Sequence, residues 1–266
     1  MLKRLTKAVL GAAGLELTRR FDVDRRFLAL RLERARSDRA VTPGVIVESM
    51  IEGKTVRFFV TDETDYIQHF HRCGRFYEEE ALRRIGQLFR GGTFVDVGAN
   101  VGNHSLYAAL YLRAERVVAF EPLPQVAMNL AVNVAINGLS DVVVIHELGL
   151  SSSPGRAAFE TPPGNIGATR LQAGGESASL PLARGDDLLT GERVSFIKID
   201  TEGMEIEVIE GLRSTIARDR PTLLVEVEVE ANGERFRSLL DGLRYRVDGD
   251  PILDDQCANY FAVPAD

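Results

Sequence analysis

Apolar residues follow two rhythms along this chain. Short runs rich in β-branched and aromatic residues occupy 45–50, 55–60, 94–97, 116–120, 142–146, 157–160, 194–199 and 221–227. They are bounded mostly by glycine, proline or charge, which marks them as strands. Between them apolar positions recur at helical spacing. Leu82, Ile85 and Phe89 stripe 79–90, and 105–112 follows a glycine turn. A proline opens 122–137, which closes on Asn137-Gly138. Val208, Ile209, Leu212 and Ile216 stripe 203–218, and 234–243 is the last helix. From residue 93 onward strand and helix alternate, the order of an α/β fold with a parallel sheet. A run over 161–179, rich in Gly, Pro and Ser, interrupts the order. A loop of that length is usually functional or disordered.

Charge changes the picture at the start of the chain. Residues 1–40 are basic, with Lys3, Arg4, Lys7, Arg19, Arg20, Arg25 and Arg26 among them, yet the whole chain has a formal net charge of −7. Pro43-Gly44 separates this stretch from two strands that turn at Glu52-Gly53-Lys54. At 266 residues the chain suits one α/β domain with an extension. Three parts are expected: a basic N-terminal helical arm over 1–44, a hairpin-and-helix module over 45–92 packed on the core, and the core over 93–266. The arm reads as a solvated helix or as a contact for an anionic membrane or a protein partner.

The acidic balance argues against a nucleic-acid partner, because phosphate contacts dominate such affinity. No run of 18 or more uncharged apolar residues predicts a membrane-spanning helix. Cys73 and Cys257 are the only cysteines. A reduced, cytoplasmic protein is therefore expected rather than a secreted disulfide scaffold. The oligomeric state stays open.

The chemistry gathers around residues 94–104, which read as strand, tight turn and helix. Gly98 and Gly102 let the backbone approach a ligand closely, and the helix start is expected to offer unpaired N–H groups. Asp96 ends the strand, where a phosphate cradle rarely places a carboxylate; an ammonium or sulfonium would suit it. The next strand ends in Glu121-Pro122. An acidic residue about 20 positions on, at the end of the second strand, accepts hydrogen bonds from ribose hydroxyls in nucleotide-binding α/β folds.

Asp-Val-Gly-Ala-Asn-Val-Gly at 96–102, Ala-Phe-Glu-Pro at 119–122 and Lys-Ile-Asp-Thr-Glu-Gly-Met-Glu at 198–205 resemble, in order and spacing, the FkbM family of class I S-adenosylmethionine-dependent methyltransferases. The resemblance implies a Rossmann-like three-layer sandwich. Its sheet would be seven-stranded and mostly parallel, with an antiparallel last strand and 244–247 and 258–263 as the closing pair. It also implies S-adenosyl-L-methionine as cofactor and methyl transfer to a hydroxyl oxygen of a sugar, glycan or natural product. Cofactor contacts are expected at Asp96, Gly98, Ala99, Asn100, Gly102, Glu121 and Pro122, with Glu78 from the preceding module. The loop over 148–153 would hold adenine, and Asn165-Ile166-Gly167-Ala168-Thr169 would lie near the acceptor.

Methyl transfer is an in-line displacement, so the protein mainly aligns the partners. A neutral hydroxyl needs its proton removed. Asp200, Glu202 and His104 are the catalytic candidates by location. Asp200, Glu202 and Glu205 have the charge for a metal but lack a histidine or a second cluster, so no metal is expected. Glu205 falls on the apolar stripe of its helix and Lys198 lies inside a strand. Buried charges need partners, so these two neutralise each other or other charges, or face the site. Glu226, Glu228 and Glu230 alternate, as residues on one face of a strand end do, so they line the cleft in part or are solvated strand-end charge. The rival readings are an N- or RNA methyltransferase, an NAD-dependent enzyme, and a catalytically silent binding module. The glycine spacing departs from G-x-G-x-x-G, which argues against NAD.

Overall fold

A computed structural model describes residues 43–160, 170–173, 179–254 and 256–265. Most of the basic arm, and the segment 165–169, therefore lie outside the described residues. The chain first forms a hairpin of β1 (Val45–Ile51) and β2 (Lys54–Val60), fully registered from Val45–Val60 to Ile51–Lys54. Its turn residues Glu52 and Gly53 have φ of 46° and 78°, the left-handed pair that a tight hairpin turn requires. Two helices follow, α1 (Tyr66–Arg72) and α2 (Glu79–Leu88). The sequence did not announce α1. Asp65 caps it by accepting the Gln68 N–H at 3.0 Å. The second helix stops two residues earlier than its stripe suggested, because Phe89 is already extended.

The core begins with β3 (Thr93–Val97), α3 (Asn103–Leu110), β4 (Arg116–Phe120), α4 (Pro124–Ile136) and β5 (Val143–His146). A small second sheet comes next: β6 (Gly149–Leu150), β7 (Gly155–Glu160), β8 (Arg170–Ala173) and β9 (Leu180–Ala183), in the order β6-β9-β7-β8. The stretch expected to be irregular thus contains a strand, paired antiparallel to β7. A short α5 (Gly185–Leu188) leads to β10 (Val194–Ile199).

One helix was expected over 203–218. The chain makes two, α6 (Glu205–Gly211) and α7 (Arg213–Asp219), parted at Leu212. The buried Asp186 accepts the N–H groups of Ser214 at 3.0 Å and Thr215 at 2.8 Å, capping α7 from a distant segment. Then come β11 (Thr222–Glu228), α8 (Val229–Leu243), β12 (Tyr245–Val247), β13 (Ile252–Asp254) and β14 (Cys257–Pro264). Because α8 starts at Val229, Glu230 is helical, and only Glu226 and Glu228 share a strand face.

The main sheet runs β12-β14-β11-β10-β3-β4-β5, with β13 added against β14. Neighbours from β11 to β5 are parallel, while β14 is antiparallel to β11, β12 and β13. Alternation along each strand sorts the core into two layers. Val95, Val97, Ile197, Ile199, Leu223, Val225 and Val227 pack with α6, α7 and α8. Phe94, Val117, Ala119, Phe196, Leu224 and Phe261 pack with α3, α4 and the hairpin module. Asn133 on α4 ties that module to the core: it accepts the Phe59 N–H at 2.6 Å and donates to the Val101 carbonyl at 2.8 Å.

Candidate active site

The glycine turn after β3 is closed on itself. Gly98 and Ala99 both donate to the Phe120 carbonyl at 3.0 Å, and Gly102 donates to Ala99 at 2.9 Å. Asn100 donates to Glu121 Oε2 at 3.0 Å, and Val101 to the Asn100 side chain at 2.7 Å. The N–H groups of residues 98–102 are therefore spent inside the protein; the helix start, where unpaired N–H groups are expected, begins only at Asn103 and has no side-chain cap.

Both glycines are required by packing. A Cβ on Gly98 would lie 1.7 Å from the Asp200 carbonyl oxygen, and one on Gly102 2.4 Å from Leu130 Cδ1. Their φ values of 74° and 95° also favour glycine. Gly98 makes room for the neighbouring strand end. Ala99 is likewise buried.

Glu121 sits at the end of β4 with its carboxylate buried. It accepts from Asn100 and, through Oε1, from Leu123 at 2.9 Å, the chain having turned back at Pro122. Burial raises its pKa to about 7, and the two N–H donors only partly offset this.

A second group of charges lies on the same sheet face, across β10 and β11. Lys198 and Asp96 are register partners. The Lys198 ammonium donates to the Gly98 carbonyl at 2.8 Å and stands 3.0 Å from Asp200 Oδ2 and 3.6 Å from Asp96 Oδ1. Burial would lower the Lys198 pKa, but Asp200 and then Asp96 hold it above its ordinary value. Asp96 has no exposed surface, and Ser105 Oγ donates to it at 2.6 Å. It therefore serves as the buried counter-ion of Lys198.

Asp200 is partly exposed at the strand end. Burial would raise its pKa, yet Lys198 and a hydrogen bond with Glu226 hold it low. Glu226 moves the other way: the Asp200 charge, then burial, push its pKa well up, so it keeps its proton at neutral pH. Oxygens of Asp200, Glu202 and Glu226 lie within 4.8 Å of one another, a spacing compatible with a metal ion. The sequence grouped Glu205 with Asp200 and Glu202 instead. The Lys198 ammonium already supplies a cation to this cluster.

Glu205 stands apart. Its Oε1 accepts from Thr201 N at 3.2 Å, Thr201 Oγ1 at 2.9 Å and Gly203 N at 2.8 Å. Its partners are thus backbone and hydroxyl donors, not the cation that a buried carboxylate suggested, and Glu202 and Gly203 take left-handed φ of 56° and 114° in the turn it braces.

The last wall comes from the hairpin module. Glu78 Oε2 lies 3.4 Å from His104 Nε2, and Glu78 Oε1 accepts from Asn259 at 3.1 Å. Burial, then Lys198, lower the His104 pKa to about 4, so the imidazole is neutral at physiological pH. The structure therefore gathers His104, Asp200, Glu202 and Glu78 at the carboxyl ends of the central strands, with Glu121 and the turn nearby. Sequence reasoning missed Asn103, Ser105 and Asn259. It marked Lys198 as an anomaly that neutralises another charge or faces the site, and Glu226 as a strand-end carboxylate that lines the cleft or is solvated, without pairing either with Asp200.

A sheet of this order, with a closed glycine turn after its first core strand and a carboxylate ending the second, is the class I methyltransferase fold. Residues 96–247, more than half of the chain, match the methyltransferase FkbM domain, and the chain belongs to that family. Methyltransferase sdnD of Sordaria araneosa is 29% identical over 163 residues, covering 48% of this chain and 63% of that protein. AMB antimetabolite synthetase AmbE of Pseudomonas aeruginosa is 26% identical over 229 residues, 69% of this chain but 10% of that protein. The chain thus spans less than two thirds of either relative. Methyltransferase FkbM from Methylobacillus flagellatus KT shares the fold at a TM-score of 0.51 and 16% identity, over 98% of this chain and 59% of that one.

Proposed function

We propose that the chain is an S-adenosyl-L-methionine-dependent methyltransferase acting on a hydroxyl oxygen of a sugar, glycan or natural product. The observation that carries the cofactor reading is the pairing of a turn whose N–H groups are spent with the buried Glu121 carboxylate. A dinucleotide needs free donors for its pyrophosphate; a nucleoside without phosphate needs only an acceptor for its ribose diol. Each Glu121 oxygen takes one backbone N–H, which leaves acceptor capacity for the diol. The bound cofactor supplies a methyl group activated by a sulfonium.

The residues of the chain do the rest. Lys198 keeps Asp200 ionised, and the protonated Glu226 donates a hydrogen bond to it. Asp200 is a partly exposed carboxylate at the strand end, kept ionised by Lys198, and is assigned as acceptor of the hydroxyl proton. His104, neutral and buried beside Glu78, shapes the opposite wall. The hydroxyl assignment is supported by the family resemblance and by this carboxylate.

Calorimetry with S-adenosylhomocysteine, S-adenosylmethionine and NAD tests the cofactor: binding of the first two and not of NAD is expected, and the reverse order overturns the reading. Transfer of labelled methyl groups to candidate glycans tests the chemistry. Label that resists mild base and acid as an ether supports oxygen; label on an amine overturns the hydroxyl assignment.

A further inference from the structure

Glu78 and the glycine turn come from different parts of the chain, and one side chain joins them. Asn103, the first residue of α3, is 2% exposed. Its Oδ1 accepts the Tyr77 N–H at 2.9 Å and lies 3.2 Å from His71 Nε2. Its Nδ2 donates to the Tyr77 carbonyl at 3.0 Å. An amide that pairs with both backbone groups of one residue fixes that residue as a neighbouring strand would.

The next residue, Glu78, has φ of 56°. A non-glycine residue holds that conformation only where its surroundings impose it. From there its carboxylate reaches His104 and Asn259. On its other side Asn103 follows Gly102 directly, whose N–H closes the turn on Ala99.

We propose that Asn103 is a positioning residue that transmits occupancy of the cofactor turn to Glu78 at the acceptor end of the cleft. This rests on the reading that the turn and Glu121 bind a nucleoside cofactor. A ligand seated there restrains residues 98–102, Asn103 carries the restraint to Tyr77, and Glu78 is set against His104 before the acceptor arrives. Cofactor binding then precedes acceptor binding.

Hydrogen exchange of the full chain, with S-adenosylhomocysteine as the probe and calorimetry alongside, tests this. In the unmodified chain the probe should slow exchange at the Tyr77 and Glu78 amides by about tenfold. In Asn103→Ala the probe should still bind while that bound-minus-free difference disappears. A purely structural role would raise exchange in free and bound protein alike and keep the difference. If Asn103→Ala does not fold, Asn103→Asp gives the same readout, since it keeps the size and the acceptor oxygen and loses the donor to Tyr77. Protection that persists in the variant, or never appears although the probe binds, overturns the proposal alone. A probe that does not bind the unmodified chain overturns the cofactor reading and the proposal with it.

Discussion

The two faces of the central sheet are built from the same strands and do different work. Under α6, α7 and α8 the face is apolar to the strand ends, with Val97, Ile199 and Val227 all buried. Under α3, α4 and the hairpin module it is apolar only at first. Phe94, Phe196 and Leu224 give way, two residues on, to Asp96, Lys198 and Glu226. Strand alternation makes this switch possible, since neighbouring residues on one strand serve opposite faces. Ile197 and Lys198 are such neighbours. One face holds the fold by burial, which tolerates approximate partners. The other holds charges out of water, which requires specific ones.

The largest effect is expected where the charged face meets the cleft. Asp200→Asn should lower methyl transfer by about 10²–10⁴ and cost less stability than loss of Lys198, because Asp96 and the Gly98 carbonyl still hold the ammonium; full turnover would remove Asp200 from the chemistry. Lys198→Met should cost about 3–5 kcal/mol, because Asp96 is left charged, buried and without its cation. Urea denaturation reads this, and Asp96→Asn in the same chain should recover part of it. A stable single variant would mean that the polar layer contributes nothing to the fold.

The apolar face supplies the control. Ile209→Ala should cost about 2–5 kcal/mol with unchanged affinity for S-adenosylhomocysteine, so a loss of affinity there would blur the division between the faces. Glu121→Ala should cost about 1.5–3 kcal/mol of binding, roughly ten- to a hundredfold, and some stability as well, because the Asn100 and Leu123 N–H groups lose their acceptor.

Protonation offers the finest probe. The Glu121 pKa is raised to about 7 in the free protein. A carboxyl with a raised folded pKa stabilises the fold relatively at low pH, and that contribution is lost as pH rises through about 7. The ribose diol donates hydrogen bonds and so favours the ionised form. Affinity for S-adenosylhomocysteine should therefore rise from pH 6 to pH 8, by up to about tenfold. Glu121→Gln should flatten this profile; an equally steep profile would assign the titration elsewhere.

The apolar face was legible in the sequence. The strands at 94–97, 116–120 and 194–199, the stripe of Val208, Ile209, Leu212 and Ile216, and the hairpin turn all appear as read, because burial and turn geometry write themselves locally. The break at Leu212 did not, since Asp186 caps α7 from outside the helix. The charged face was legible residue by residue but not in its pairing. Lys198 and Glu205 stood out as buried charges, yet only the register of β3 against β10 gives Lys198 to Asp96, and only the fold of 201–205 gives Glu205 its N–H donors. The closed turn was hidden for the same reason. Phe120 and Glu121 take its N–H groups across the sheet, and no spacing rule predicts that.

The position of β14 sets an order of assembly. It is the last of these strands to leave the ribosome, yet it lies inside the sheet, between β11 and β12. Asn259 on it meets Glu78 across 181 residues of sequence. The nascent chain can close the glycine turn on Phe120 and Glu121 long before β14 exists. A translating intermediate would thus hold the turn formed and Glu78 without Asn259, with the flank of β11 unpaired. Such an exposed flank invites pairing with other chains, so the interval before β14 docks is when this protein is most in need of a chaperone.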